Sequence, residues 1–275
     1  MPNDFNQQII DEFRANSGRV GGPFEGARLI LLTTTGARSG APHTTPVGYL
    51  PDEDRILVIA SAGGGPKHPD WYHNLLADPS ATVEDGVFTY RARAEVLTGA
   101  ERDEVFARAV EAEPGWAAYQ AKTSRVIPVL ALRQVAGGPP NAASPGAALK
   151  LIHDAFRREL ALIRAEVVRS GPGLGAQLRV NCLTVCQGLH HHHVNEDAGL
   201  FVALDGQPEL AATLARLREE HRRIAALVER LQQVVNATDA DPAEVRREVE
   251  RLTTELEAHL AYEEEQLIPV LDGTG

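Results

Sequence analysis

Histidine and glutamate recur at helical spacing in the second half of the 275-residue chain. His192 with Glu196, and His259 with Glu263, occupy i and i+4 positions, so each pair projects from one face of a helix. Imidazole nitrogen together with carboxylate oxygen suits iron, manganese or zinc. The spacing therefore predicts a metal site on two helices.

These polar residues interrupt apolar stripes that must point inward. Helices are predicted at about 148–169, 177–204, 208–236 and 242–270, and the first and third stripes carry His153 and His221. The second stripe runs from His192 and Glu196 to Gly199 and Ala203. Buried imidazoles and carboxylates are costly unless something compensates them. Inward histidine and glutamate from facing bundle helices predict a two-metal site, with two irons expected and zinc or manganese as alternatives.

The run His190-His-His-His193 lies inside the second predicted helix. Only His192 falls on the core stripe, so the other three are assigned to solvent or to positions behind the ligands. His193 is the first candidate for an exception to that assignment.

A linker divides the chain into two parts that differ in the spacing of their apolar residues. Residues 136–147 are rich in Gly, Pro, Ala and Ser and have no apolar period, which indicates a linker between residues 1–135 and 148–275. The second part is predicted to be an all-α up-down four-helix bundle, because short loops between long helices favour antiparallel neighbours.

The first part is predicted to be α+β. Short apolar runs at 27–35, 55–60, 81–84, 88–94 and 127–132 are separated by turn residues and read as strands of a small sheet or barrel. Helical spacing appears at about 4–16, 69–77 and 100–112.

The helical half resembles the hemerythrin-like HHE cation-binding domain. The family motif is matched by the residues His153, His192, Glu196, His221, His259 and Glu263. Oxygen-carrying members have a further third-helix histidine one turn away, where this chain has Leu217 and Ala225. Fewer ligands leave more open coordination, so the resemblance favours sensing or turnover of O2, peroxide or NO over reversible oxygen carriage.

Three segments of the first half could bind an anionic cofactor. Residues 33–40 form a hydroxyl-rich, Gly-bounded loop that presents backbone N–H groups and Arg38. Residues 61–72 pass through three glycines into a helix N-terminus. Trp116 and Tyr119 lie three residues apart. Taken alone, these features support only an anion-binding domain.

Their order resembles the deazaflavin-dependent nitroreductase family, over about residues 5–133. The matching motifs are Thr35-Gly-x-Arg-Ser-Gly40, Thr45-Pro46, Gly64-Gly-Pro-Lys-His-Pro-x-Trp-Tyr-x-Asn-Leu75 and Tyr119-Gln-x-Lys-Thr-Ser-Arg-x-Ile-Pro128. The resemblance implies a split β-barrel of flavin-reductase type that binds reduced coenzyme F420, a hydride donor, with FMN as the alternative.

The resemblance also implies site residues. The cofactor-binding set is Ala37, Arg38, Ser39, Thr45, Pro46, Ser61, Ala62, Gly63, Pro66, Lys67 and Trp71. Trp116 and Tyr119 are assigned to the catalytic substrate wall. Trp116 and Glu113 stand where the family has tyrosines, which favours a quinone over a nitroimidazole as acceptor.

Charge and composition narrow the partners. A net charge of −11 argues against nucleic acid or an anionic membrane surface. The acidic start and the absence of a long apolar run predict a cytoplasmic protein with no integral membrane segment. Homodimerisation is left open.

The combined prediction is an F420-dependent oxidoreductase of quinone or nitro acceptors, fused to a di-iron bundle that binds or senses O2, peroxide or NO. The alternatives are a non-enzymatic iron or gas sensor whose barrel is a ligand-binding module, and a zinc-stabilised bundle without redox chemistry.

Overall fold

The structure, a computed structural model, describes residues 4–170 and 173–273. The chain divides into two compact units, Met1–Asn141 and Ala142–Gly275. This division falls within the predicted linker, and each unit is described by itself. Among the helices of the described residues, none is long and apolar enough to cross a membrane.

The first unit is a barrel, as predicted, and it closes with six strands where the sequence indicated five. Its strands are β1 (Leu29–Thr35), β2 (Pro42–Asp52), β3 (Arg55–Ile59), β4 (Ser80–Glu84), β5 (Thr89–Val96) and β6 (Val129–Ala136). They follow the order β1-β2-β3-β6-β5-β4, and β1 pairs with β4 to close the ring. All neighbours are antiparallel. Buried Ile30, Leu32, Val58 and Leu130 belong to the core cluster.

Strand β2 is not among the predicted runs, and it contains Pro42, Pro46 and Pro51, which disfavour a strand. The register explains why it forms. Residues 42–48 pair with β1 and residues 49–52 pair with β3, so each half of β2 uses a single ladder. A proline needs no N–H partner on the side of a strand that carries no ladder.

Four helices accompany the barrel: α1 (Asp4–Ala15), α2 (Asp70–Ala77), α3 (Gly99–Ala112) and α4 (Gly115–Ala121). The first three match the predicted segments. Helix α4 was not predicted as a helix. Its segment is short and Ala-rich, and its two aromatic residues, Trp116 and Tyr119, were assigned only to the substrate wall.

The second unit is a four-helix bundle, as predicted. Its helices are α5 (Pro145–Arg169), α6 (Ala176–Asn195), α8 (Ala211–Asn236) and α9 (Pro242–Leu271), and the short α7 (Phe201–Leu204) extends α6. Side chains of Ser144 and Asp241 cap α5 and α9 by accepting hydrogen bonds from the N–H groups of Ala147 and Ala243. The apolar core includes Leu160, Leu189, Leu231 and Leu252.

A π-helical turn, Glu196–Leu200, joins α6 to α7. A π turn adds one residue to the helical repeat and rotates everything after it. The predicted stripe positions Gly199 and Ala203 are therefore exposed, and Phe201 and Leu204 are buried instead. The end of the second stripe was predicted wrongly, since sequence periodicity assumed an unbroken α-helix.

A hydrogen bond joins the start of the first bundle helix to the end of the last one. The N–H of Gly146, in the first turn of α5, donates to Oδ1 of Asp272 just beyond α9 at 2.8 Å. A Cβ at residue 146 would lie 2.7 Å from the same carboxylate, so a larger residue there would displace the Asp272 side chain.

Candidate metal centre and cofactor loops

Seven histidine and glutamate side chains converge inside the bundle. They are His153 from α5, His192 and His193 from α6, Glu196 from the π turn, His221 from α8, and His259 and Glu263 from α9. Six are buried, and the side chain of His192 is 9% exposed. The structure brings together all six residues that the sequence analysis assigned to metal, and it adds His193.

The donor atoms form two groups. One comprises His153, His192, Glu196 and Glu263, and the other comprises His193, His221 and His259. Within each group, one ligand atom per residue lies within 4.8 Å of the others. That spacing allows each group to surround a single ion.

The donor atoms lack hydrogen-bond partners. The Nε2 atoms of all five histidines and both carboxylate oxygens of Glu196 and Glu263 are buried and make no hydrogen bond. Nε2 of His192 lies 3.1 Å from Oε1 of Glu196, but the geometry is not that of a hydrogen bond. An unpaired buried polar atom costs about 1–3 kcal/mol, so such a set needs an explanation outside the protein atoms.

Burial also opposes the charged forms of these groups when no cation is present. It raises the pKa of Glu263 to about 8, and the carboxylates of Glu264, Asp197 and Glu220 add to the shift. It lowers the pKa of His259 to about 4 and that of His192 to about 2. Buried divalent cations would reverse the preference of the glutamates, because opposite charge favours the ionised form.

Three histidines are oriented from behind by carboxylates. The Nδ1 atoms of His153, His221 and His259 donate to the carboxylates of Glu264 at 2.9 Å, Asp197 at 3.0 Å and Glu220 at 3.0 Å, in that order. A proton on Nδ1 leaves the Nε2 lone pair free for a metal.

Two of these carboxylates, Glu264 and Glu220, are themselves held by arginines. Although burial opposes the shift, hydrogen bonds from His153 and Arg157 lower the pKa of Glu264 to about 2. Arg216 donates to Glu220 at 2.8 Å. The carboxylates behind His153 and His259 thus stay ionised, which favours the tautomer with Nε2 bare.

The π turn places consecutive residues in different roles. Glu196 enters the interior group, while Asp197 bonds to Nδ1 of His221. Phe201 stacks on the His221 ring at 5.3 Å, and His193 stacks on it at 4.1 Å. The π turn thus brings both Asp197 and Phe201 into contact with the His221 ring, and these contacts orient it.

The histidine tract divides into exposed and buried residues, and His193 is the exception that the sequence named first. His190 and His191 are exposed, while His193 is 6% exposed. Sequence periodicity missed His193 because adjacent helix positions differ by 100°, which takes one of them off a narrow stripe. An interior that holds two ions is wider than one line of residues, so positions next to the stripe should also have been considered as ligands.

In the barrel unit, α2 links the first predicted cofactor loop to its strand. The N–H of Ala37 donates to Oδ1 of Asn74 at 2.9 Å, and the Asn74 amide donates to Oγ1 of Thr34 at 3.0 Å. Oγ of Ser39 lies 3.1 Å from Nε2 of His43. Ala37, Arg38 and Ser39 are all exposed, while Thr45 and Pro46 are partly buried on β2 opposite Leu32 and Leu31.

Arg125 organises the second predicted cofactor loop. Its guanidinium donates to the carbonyls of Ser61, Ala60 at 3.1 Å and Gly65 at 3.0 Å. Gly64 has φ +80°, and a Cβ there would lie 2.7 Å from the Tyr119 carbonyl oxygen, so α4 packs directly against this loop. Arg125 lies within a motif used for the family resemblance, but the sequence analysis gave it no role.

The predicted loop residues differ in exposure. Ala62, Gly63, Pro66 and Lys67 are exposed, and Ser61 is partly buried. Neither Arg38 nor Lys67 pairs with an acid among the residues that the structure describes.

The three aromatic residues predicted to line a pocket have different surroundings. Trp71 is 6% exposed and belongs to the barrel core. Trp116 and Tyr119 are partly buried, lie edge to face at 5.9 Å and pack on the cluster around Ile59 and Phe106. Both therefore pack against the barrel unit, and the wall role assigned from sequence stays a prediction.

Each of the two units matches a different protein family. Residues 6–134 match the family of F420H(2)-dependent quinone reductases, and residues 144–271 match the hemerythrin HHE cation binding domain.

Individual relatives match the first unit. A putative F420H(2)-dependent quinone reductase of Mycobacterium bovis is 36% identical over 124 residues, which cover 44% of this chain and 83% of that protein. Another, from Mycobacterium tuberculosis, is 34% identical over 104 residues, covering 38% of this chain and 87% of that protein. A solved F420-H2 dependent reductase is 41% identical, covering 38% of this chain and 94% of that one, with a TM-score of 0.36.

Residues 144–271 match the hemerythrin HHE cation binding domain, and through residues 6–134 the chain belongs to the F420H(2)-dependent quinone reductase family.

Proposed function

We propose that this protein is an F420H2-dependent reductase of quinone-type acceptors that carries a dinuclear iron centre for O2, peroxide or NO in its bundle. One observation carries the metal half: five imidazole Nε2 atoms and four carboxylate oxygens are buried together without hydrogen-bond partners. Family membership, together with the arrangement of the two loops, supports the reductase half.

The bundle residues fit two ions of intermediate softness. His153 and His192, with Glu196 and Glu263, would hold one ion, and His221 and His259 would contribute to the second. Nitrogen and carboxylate donors suit iron. Bound iron would supply redox-active positions at which small oxygen or nitrogen ligands coordinate. The carboxylates of Glu264, Asp197 and Glu220 hold three of the imidazoles in the required tautomer.

The barrel loops fit an anionic cofactor. Arg38 and Lys67 are exposed cations without acidic partners among the described residues, one on each of the two loops. They are available to bind a phosphate or carboxylate by charge-assisted hydrogen bonds. Bound F420H2 would supply the hydride for a two-electron reduction. Asn74 and Arg125 hold the loops in place through Ala37 and through the carbonyls of residues 60–65.

The acceptor is placed beside α4 in this proposal. Trp116 and Tyr119 lie on the helix that packs against Gly64, next to the residues assigned to the cofactor. Their edge-to-face pair offers an aromatic surface for a quinone ring.

Steady-state oxidation of F420H2 with menadione tests the reductase half, and elemental analysis tests the metal half. We expect turnover and about two irons per chain. Binding of F420H2 without turnover would indicate a ligand-binding module instead. Zinc in place of iron, with no change in the visible spectrum on adding O2 or NO, would indicate a structural metal centre.

A further inference from the structure

We infer that His193 is a metal ligand, which gives the position formed by His221 and His259 a third imidazole. The inference rests on the proposed metal centre and refines its ligand set. It replaces the six-residue set predicted from sequence with seven residues, two of them adjacent on α6.

The surroundings of His193 are those of an inward-facing donor. Its Nε2 is buried without a hydrogen-bond partner. One of its ring nitrogens lies within 4.8 Å of a ring nitrogen of His221 and of one of His259. Its ring stacks on His221 at 4.1 Å with an interplanar angle of 14°, and it meets the His259 ring edge-on at 5.2 Å. A histidine that merely filled space here would be expected to find a hydrogen-bond partner.

Adjacent positions allow α6 to serve both groups. His192 belongs with His153, Glu196 and Glu263, while His193 belongs with His221 and His259. Consecutive helix residues point about 100° apart, so two neighbouring imidazoles cannot easily bind the same ion. They can instead each bind one of two adjacent ions. The ring centroids of His192 and His193 are 5.5 Å apart.

Helix α8 supplies no second donor to this position. One turn before and one turn after His221 stand Leu217 and Ala225. Leu217 is fully buried in an apolar cluster with Leu214 and Leu267. His193, from α6, therefore brings the imidazoles of this group to three, each from a different helix. The number of positions left open for exogenous ligands is then lower by one than the six-residue set implies.

The test is the iron content of the full-length protein after anaerobic loading with Fe²⁺ and desalting. We expect wild type to hold about two irons and His193→Ala to lose at least one of them. His190→Ala and His191→Ala are matched controls, since they remove exposed histidines of the same tract and should retain both irons.

Folding is checked by far-UV circular dichroism. Should His193→Ala fail to fold, His193→Gln keeps most of the side-chain volume and is judged by the same criterion. A folded His193 variant that keeps two irons overturns the inference and leaves the metal centre standing. A wild-type protein without iron contradicts the metal centre itself, so the two failures can be told apart.

Discussion

The barrel and the bundle use buried and exposed polar groups in opposite ways. In the bundle, the candidate ligands are buried side chains with unpaired donor atoms, held by carboxylates behind them. In the barrel, the candidate cofactor contacts are exposed loop residues, and the buried Asn74 is fully engaged in holding a loop. A site inside a core must interrupt the apolar period, whereas a site on loops need not.

The largest expected effect is loss of metal from the bundle on replacing a buried glutamate. Glu196→Gln or Glu263→Gln keeps the side-chain size but removes a negative charge that balances two divalent ions. We expect the iron content to fall from about two per chain to one or fewer, measured by inductively coupled plasma analysis. The matched control is Glu265→Gln, an exposed acid on the same helix as Glu263. Equal losses in the control would contradict the assignment of the interior group.

The next effect is on the pH dependence of the metal-free bundle. The pKa of His259 in the folded protein is about 4, against an ordinary value of 6.5, so the unfolded state binds its proton first. This contribution lowers stability as pH falls from 6.5 to about 4. Glu263 acts in the opposite direction between about 4.5 and 8, because its pKa is raised to about 8. Burial lowers the pKa of all five histidines, which outnumber the two glutamates, so acid destabilisation should dominate.

Thermal melts of residues 146–275 after chelation, between pH 7 and pH 4, measure this effect. Residues 1–135, expressed separately, serve as the comparison, and two cooperative melts would also support the predicted domain boundary. We expect the bundle midpoint to fall by several degrees more than the barrel midpoint. An equal fall in both fragments would remove the link to the buried histidines.

The smallest effect is on cofactor affinity in the barrel. Arg38→Ala or Lys67→Ala removes one exposed charge, and the loss of a charge-assisted hydrogen bond should weaken F420 binding by roughly tenfold. Fluorescence titration of the full-length protein measures the affinity. Arg93→Ala, which removes an exposed cation of β5, is the control. Unchanged affinity in both loop variants would contradict the cofactor site implied by the family resemblance. The iron content should stay at the wild-type value in all three variants.

Sequence reasoning succeeded where one period governed a whole element. The stripes of the four long helices placed His153, His221, His259 and Glu263 in the interior because an amphipathic helix has one buried face. It failed where geometry depended on partners distant in sequence. The single-sided pairing of β2 made three prolines tolerable, and no local pattern reveals which ladder a strand will use.

The site was predicted less completely than the fold for a related reason. The π turn after Asn195 breaks the α-helical period, so the buried position of Phe201 could not be deduced from spacing. His193 was named as an exception but not included among the ligands, because the stripe was treated as one residue wide. Arg125 acts through backbone carbonyls more than 60 positions away in the chain, which leave no pattern in side-chain chemistry.

The hydrogen bond between Gly146 and Asp272 has a topological consequence. It brings the beginning of α5 and the end of α9 to the same pole of the bundle, so a short connection could join them directly. The turn before Pro242 could then become the new pair of termini. Such a circular permutant would keep every helix contact around the metal centre while changing the order in which the ligands are synthesised.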